Sequence, residues 1–175
     1  CPLVHIASML SRLDADVLVH CHKTACYLLS TPDPYLLQCI LMCLKTLTQS
    51  DAILVSDCQG LLQLPAGDGA IHTVEKLLDI VKNYPNQEFR HVAAEILYNL
   101  STSSEENRAI MMSSDANTVF LGLLNEEDVL LEQSLRILES QANLPESARQ
   151  VRTLGGIDRL LNTLQSRCPE ALDAL

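Results

Sequence analysis

Apolar residues along this chain recur at steps of three and four. In Tyr35–Thr48, Leu36, Ile40, Leu44 and Leu47 follow at intervals of four, four and three, the spacing that puts side chains on one stripe of an α-helix. Asp16–Ser30 repeats the pattern with Val17, Cys21, Ala25 and Leu28, flanked by Leu18 and Leu29. Between the two, Thr31-Pro32-Asp33-Pro34 stops the first helix and supplies, in Asp33, a cap for the second. The same spacing predicts helices over Pro2–Leu13, Asp68–Asn83, Gln87–Leu100, Glu105–Met112, Ala116–Leu124, Asp128–Gln141, Glu146–Thr153 and Ile157–Gln165. No segment alternates apolar and polar residues as a half-buried strand does, so the expected fold class is all-α.

After residue 86 the helices run long, short, medium, then long, short, medium again, with links of two to five residues. A shift of 41 residues superposes the two sets, placing Ile96-Leu97 on Ile137-Leu138, Glu105 on Glu146, Arg108 on Arg149 and Ile110 on Val151. The medium helices follow, with Ala116 on Ile157, Val119 on Leu160 and Leu123 on Leu164. A looser copy lies upstream, where Leu44 and Leu47 match Leu97 and Leu100 at a shift of 53. The extra length falls in a loop insertion near 57–69, marked by Gly60, Pro65, Gly67 and Gly69. The expected organisation is therefore a partial repeat over 1–31, a divergent repeat over 34–85, full repeats over 86–125 and 128–165, and the start of a further helix over 168–175.

These residues resemble the armadillo-repeat family. The resemblance rests on Ala93-Ala94-x-x-Leu97-x-Asn99-Leu100-Ser101, Glu105-Glu106-Asn107-Arg108-Ala109-Ile110 and Ala116-x-x-Val119-Phe120-x-x-Leu123-Leu124. It returns as Ala148-Arg149-Gln150-Val151, Leu154-Gly155-Gly156-Ile157 and Leu160-Leu161-x-x-Leu164. The pattern is clearest over 89–165 and fades toward the N-terminus. It implies a right-handed superhelical solenoid of three-helix units, ARM- or HEAT-like, with a concave groove lined by the long helices. Units of this kind bury their apolar stripes only against neighbours, so several are needed for a stable core. Gly155-Gly156 before Ile157 suits the sharp turn between short and medium helices, and Asp115 in the preceding copy tolerates the same geometry.

Composition narrows the function. At 47% hydrophobic and 19% charged the chain is suited to one folded domain, and 3% aromatic content with no Trp suits helix-on-helix packing better than a β-sandwich. Twenty-two acidic against 12 basic residues leave a net charge of −10, which repels phosphate backbones, so direct nucleic-acid binding is not expected. Residues 1–50 sum to zero, so the excess lies in the later two-thirds, where it would attract a basic or mixed-charge segment of a protein partner. The longest stretches without charge, Cys1–Ser11 and Pro34–Leu44, are far short of the ~20 residues a membrane span needs. Seven cysteines, an odd number, show no paired spacing, and no secretory leader opens the chain; a reducing compartment, cytoplasmic or nuclear, is the expectation.

The resemblance implies that the groove is lined by His91, Glu95 and Asn99, which lie four apart on one ridge, by Glu132, Arg136 and Ser140 at a shift of 41, and by Gln38, Met42 and Thr46 at a shift of 53. Asn99 matches the family position whose amide hydrogen-bonds the backbone of an extended peptide, although it could equally cap its own helix. At Glu95 peptide-binding members often carry Trp, a departure that argues against importin-like recognition of basic signals. A different chemistry is offered by His22 and Cys26 on one helix and Cys39 and Cys43 on the next, i and i+4 pairs of ligand types that zinc prefers. Buried thiols in a helical core are the simpler expectation, and no cofactor is implied.

No enzyme signature stands out. Gly67-Asp68-Gly69 is not followed by the lysine of a phosphate loop, and no strand precedes Gly155-Gly156. The acidic pairs Glu105-Glu106 and Glu126-Glu127 fit helix starts, where the macrodipole favours them. The sequence thus points to a noncatalytic protein-interaction module that holds a partner segment in its groove. The alternatives are a structural scaffold section that assembles, or self-associates, through its ends or convex face, and a zinc- or redox-responsive module using the N-terminal Cys and His residues.

Overall fold

A computed structural model describes residues 15–49, 61–66, 72–126 and 129–167. The described residues form helices and no β-strand, apart from an isolated bridge between Pro65 and His72. In chain order these are α1 (Ala15–Leu28), α2 (Pro34–Gln49), a 3₁₀ turn (Leu61–Gln63), α3 (Thr73–Asn83), α4 (Gln87–Ser103), α5 (Glu105–Ser113) and α6 (Ala116–Gly122). A second 3₁₀ turn (Leu123–Asn125), α7 (Val129–Ala142), α8 (Pro145–Thr153) and α9 (Gly156–Arg167) follow among the described residues. The helices expected over Pro2–Leu13 and 168–175, and most of the inserted loop, lie outside the described residues. Among the described residues no helix is long and apolar enough to cross a membrane.

Local chemistry sets the boundaries. The backbone N–H of Tyr35 donates to Asp33 Oδ1 at 2.9 Å, the cap expected from the Pro-Asp-Pro stop. Asn86 Oδ1 accepts from the N–H of Glu88 at 2.8 Å to start α4, and Ser104 Oγ accepts from the N–H of Asn107 at 3.1 Å to start α5. The turns before α6 and α9 are left-handed at one residue each, Asp115 with φ 62° and Gly155 with φ 69°.

The long helices lie side by side, α2 against α4 and α4 against α7, while α3 and α5 pack on α4 and α6 packs on both α7 and α8. One core runs through this arrangement, from Leu44 and Leu47 through Ile96, Leu97 and Leu100 to Phe120 and Ile137. A buried polar network ties its later part together: Asn117 Nδ2 donates to Ser147 Oγ at 2.8 Å and to Gln150 Oε1 at 2.7 Å, and Ser147 Oγ donates to Gln141 Oε1 at 3.2 Å.

Two details differ from the sequence reading. The buried face of the first helix is turned by about one residue, or 100° of helix, while the second keeps its predicted stripe except at its first position. In α1, His22, Ala25 and Cys26 are inside, followed just beyond the helix by Leu29, while Leu28 is exposed; in α2, Leu37 and Leu41 join Ile40, Leu44 and Leu47, while Leu36 is exposed. The internal repeat also changes register. Along the long helices a shift of 41 pairs buried with buried, as in Ala93 with Ser134, Leu97 with Leu138 and Leu100 with Gln141. From the short helices onward the match is 40: Asn107 with Ser147, Met111 with Val151, Ala116 with Gly156, and the left-handed Asp115 with Gly155. Pro145, whose ring pre-sets helical φ, opens α8 one residue earlier than a uniform shift would.

Candidate functional site

The ridge residues divide according to which neighbouring helix they face. Between α2 and α4, Glu95 and Asn99 are bonded to α2 side chains that lay outside the predicted ridge. Lys45 Nζ pairs with Glu95 Oε2 at 2.7 Å, Gln49 Nε2 donates to Glu95 Oε1 at 2.6 Å, and Asn99 Nδ2 donates to Thr48 Oγ1 at 3.2 Å. Glu95 and Asn99 therefore act here as lateral ties, and Asn99 does not cap its helix, which runs on to Ser103. Thr46 turns its hydroxyl back to Met42 O at 2.9 Å, Met42 packs against the core, and Gln38 is exposed. His91 is half-buried, and desolvation, with Arg90 acting the same way, holds its pKa below the usual imidazole range.

Between α4 and α7 the surface opens instead. A cleft of about 270 Å³ is bounded by Tyr98 and Thr102 of α4, Arg108 of α5, and Arg136, Glu139 and Ser140 of α7, with Asn143 just beyond. Arg136 lies over the Tyr98 ring, 5.7 Å from its centroid, and pairs with Glu132 Oε1 at 2.9 Å. That leaves further guanidinium donors on Arg136, since the fork carries five N–H groups. Arg108 Nη1 donates to Ser101 O at 2.9 Å, which fixes its guanidinium beside the end of α4. Ser140, expected on the outward face with Glu132 and Arg136, is buried; it forms part of the cleft floor where α7 meets its neighbours. Tyr98, Thr102, Arg108 and Asn143 were not legible as site residues, because their meeting depends on how three helices cross.

The proposed zinc quartet is not brought together. His22 and Cys26 are in the core, where burial pushes the Cys26 thiol up to about 11, a hydrogen bond with Thr73 acting weakly the other way. Cys39 is exposed and Cys43 half-buried, and they face Cys21 across the α1–α2 junction. Among the described residues no three His, Cys, Asp or Glu side chains are grouped so as to hold a metal ion.

The chain matches no family model and no curated protein. Among solved structures it is similar to the crystal structure of an engineered protein, at 18% identity and a TM-score of 0.73. The match covers 95% of this chain and 65% of that protein, so this chain spans about two-thirds of the engineered protein's length. The likeness establishes a shared all-helical fold, which at this identity is all that it carries.

Proposed function

We propose that this chain is a noncatalytic interaction module, a short solenoid of armadillo-like three-helix units, and that it holds a segment of a partner protein in the cleft between α4 and α7. The recurring long, short and medium helices, with like helices adjacent, support the solenoid reading. The observation that carries the binding reading is the contrast between two neighbouring grooves. The α2–α4 groove is closed by side-chain bonds, whereas the α4–α7 cleft offers two guanidiniums, a carboxylate, hydroxyls and an amide around open space. Arg108 and Arg136 would meet an acidic group and Glu139 a basic one, so the cleft favours a mixed-charge segment over a purely basic one.

The test is capture of partners from cell extract by the wild type beside Arg136→Ala/Asn143→Ala, two exposed positions that leave the core intact. Selective loss of a partner with the double variant supports the cleft; equal retention by both removes it. Glu95→Arg/Asn99→Ala is a poor substitute, because it also breaks the ties between α2 and α4.

A second reading, assembly through the C-terminal end, rests on α9. At the register of 40, Asn117, Leu121 and Leu124 are 0%, 1% and 3% exposed, and their counterparts Ile157, Leu161 and Leu164 are 50%, 44% and 43% exposed. This apolar stripe is the kind of surface that associates. Light scattering on wild type and Leu161→Lys/Leu164→Lys separates the readings: assembly lost in the variant favours the scaffold, and a monomer in both excludes self-assembly through this end.

A further inference from the structure

The two half-buried arginines among the described residues are treated differently by the fold. Arg90 donates Nε to Val81 O at 2.7 Å and pairs through Nη2 with Glu126 Oε1 at 2.9 Å, so its charge is met by a carboxylate. Arg108, on the wall of the α4–α7 cleft, donates Nη1 to Ser101 O at 2.9 Å, while its buried Nε–H has no acceptor among the described residues. No carboxylate among the described residues forms an ion pair with it. A guanidinium withdrawn from water without a counter-charge carries a desolvation cost that an added carboxylate offsets. Arg108 therefore gains more from an anion than a solvated arginine does.

The rest of the cleft limits which anion fits. Arg136 already shares its charge with Glu132 at 2.9 Å, and the exposed Glu139 adds a carboxylate to the wall. What remains is one uncommitted cation beside one negative charge. At about 270 Å³ the space is smaller than the roughly 300–1,000 Å³ of small-molecule sites, and suits a side chain.

We propose that Arg108 is the specificity-determining residue of the cleft, and that the partner segment supplies its counter-charge as one aspartate or glutamate side chain. This rests on the reading that a partner segment occupies the cleft, and adds which charge is recognised and by which residue. The carboxylate accepts from Arg108, with the exposed Asn143 amide as a further donor in the same cleft. A carboxylate is selected over a phosphorylated side chain, because Glu139 repels the second negative charge of a phosphomonoester.

Random dodecapeptides displayed on phage, panned on the immobilised full chain, test this. Counter-selection on Arg136→Ala/Asn143→Ala confines the pool to peptides that need the cleft, and fluorescence anisotropy measures the affinities of synthetic versions. The expected result is Asp or Glu at one fixed position. Replacing that residue by Asn or Gln should weaken binding to the wild type by at least about tenfold. Phosphoserine there should bind no more tightly than Glu. Arg108→Gln, which keeps an amide donor for Ser101 O, should bind acid and amide peptides alike, with circular dichroism melts establishing that it is folded. The acid-to-amide comparison on the wild type decides the matter even where Arg108→Gln does not fold. Cleft-dependent peptides with no fixed acidic position, tighter binding of phosphoserine, or an acid preference that persists in folded Arg108→Gln overturns this proposal and leaves the cleft reading standing. Enriched peptides that all tolerate the Arg136/Asn143 double variant, or no enrichment at all, remove both.

Discussion

Gly156 opens α9 at a buried corner, and adding a single methyl group there tests how tightly α8 and α9 are joined. A Cβ at this position would lie 2.5 Å from Val151 Cγ1, 2.7 Å from the Val151 carbonyl oxygen and 3.1 Å from Leu121 Cδ2. The Val151 methyl could rotate aside. The carbonyl oxygen cannot, because it belongs to the α8 backbone, so α9 must move away by several tenths of an ångström. Overpacking of this kind costs about 1–3 kcal/mol, offset by up to about 1 kcal/mol from replacing Gly with Ala in a helix. The net loss for Gly156→Ala is then about 1–2 kcal/mol, or about 3–5 °C in Tm for a chain of this size. Gly155→Asp is the control. Its left-handed φ of 69° matches the 62° held by Asp115 in the preceding unit, and no heavy atom lies within 4 Å of a Cβ there, so it should cost less than Gly156→Ala. Thermal melts by circular dichroism, with hydrogen exchange of the α8 and α9 amides to catch local opening, read both. Wild-type behaviour of Gly156→Ala, or a larger loss in Gly155→Asp, would refute the packing argument and the register of 40.

Asn117→Ala removes the donor at the centre of the buried α6–α7–α8 network and should lower unfolding free energy by about 1–3 kcal/mol in urea titrations. Glu95→Ala should cost about 1 kcal/mol, less at high salt, because the half-buried pair with Lys45 is partly screened; double-mutant cycles with Lys45→Ala measure the coupling. The neutral Cys26 thiol contributes stability that is complete below its ordinary pKa of about 9 and is lost as pH rises through about 11; in Cys26→Ala, urea titrations from pH 8 to 11 should show a shallower alkaline decline.

Much of the fold was legible because helices advertise themselves through spacing and stops. The step of three and four and the Pro-Asp-Pro stop with its Asp33 cap brought most helix ends within a residue or two of their places. What spacing cannot supply is rotation and lateral order. Residues one apart differ by 100° on a helix, so choosing Leu28 over Leu29 put Cys21 on the buried stripe, and pairing His22 with Cys26 selected the core face. The uniform shift of 41 was anchored on the long helices, by Ile96-Leu97 with Ile137-Leu138, and was carried into the short helices through Glu105 with Glu146 and Arg108 with Arg149, solvent-facing or half-exposed positions where a one-residue slip carries no packing cost. Glu95 and Asn99 lie four apart on one helix, but whether such a ridge faces solvent or a bonded neighbour depends on Lys45, Thr48 and Gln49, more than 45 residues away in sequence.

The central claim is that a partner segment lies in the α4–α7 cleft, and site-directed photo-crosslinking addresses it most directly. A photoreactive phenylalanine derivative is placed at Asn143 in the cleft, at Gln38 on α2, and at Leu161 on α9, each an exposed position, and the folded proteins are irradiated in cell extract. The account predicts one partner cross-linked from position 143, diminished by Arg136→Ala, and not captured from position 38 or 161. Capture of that partner from position 161 alone, or from all three positions alike, would contradict it.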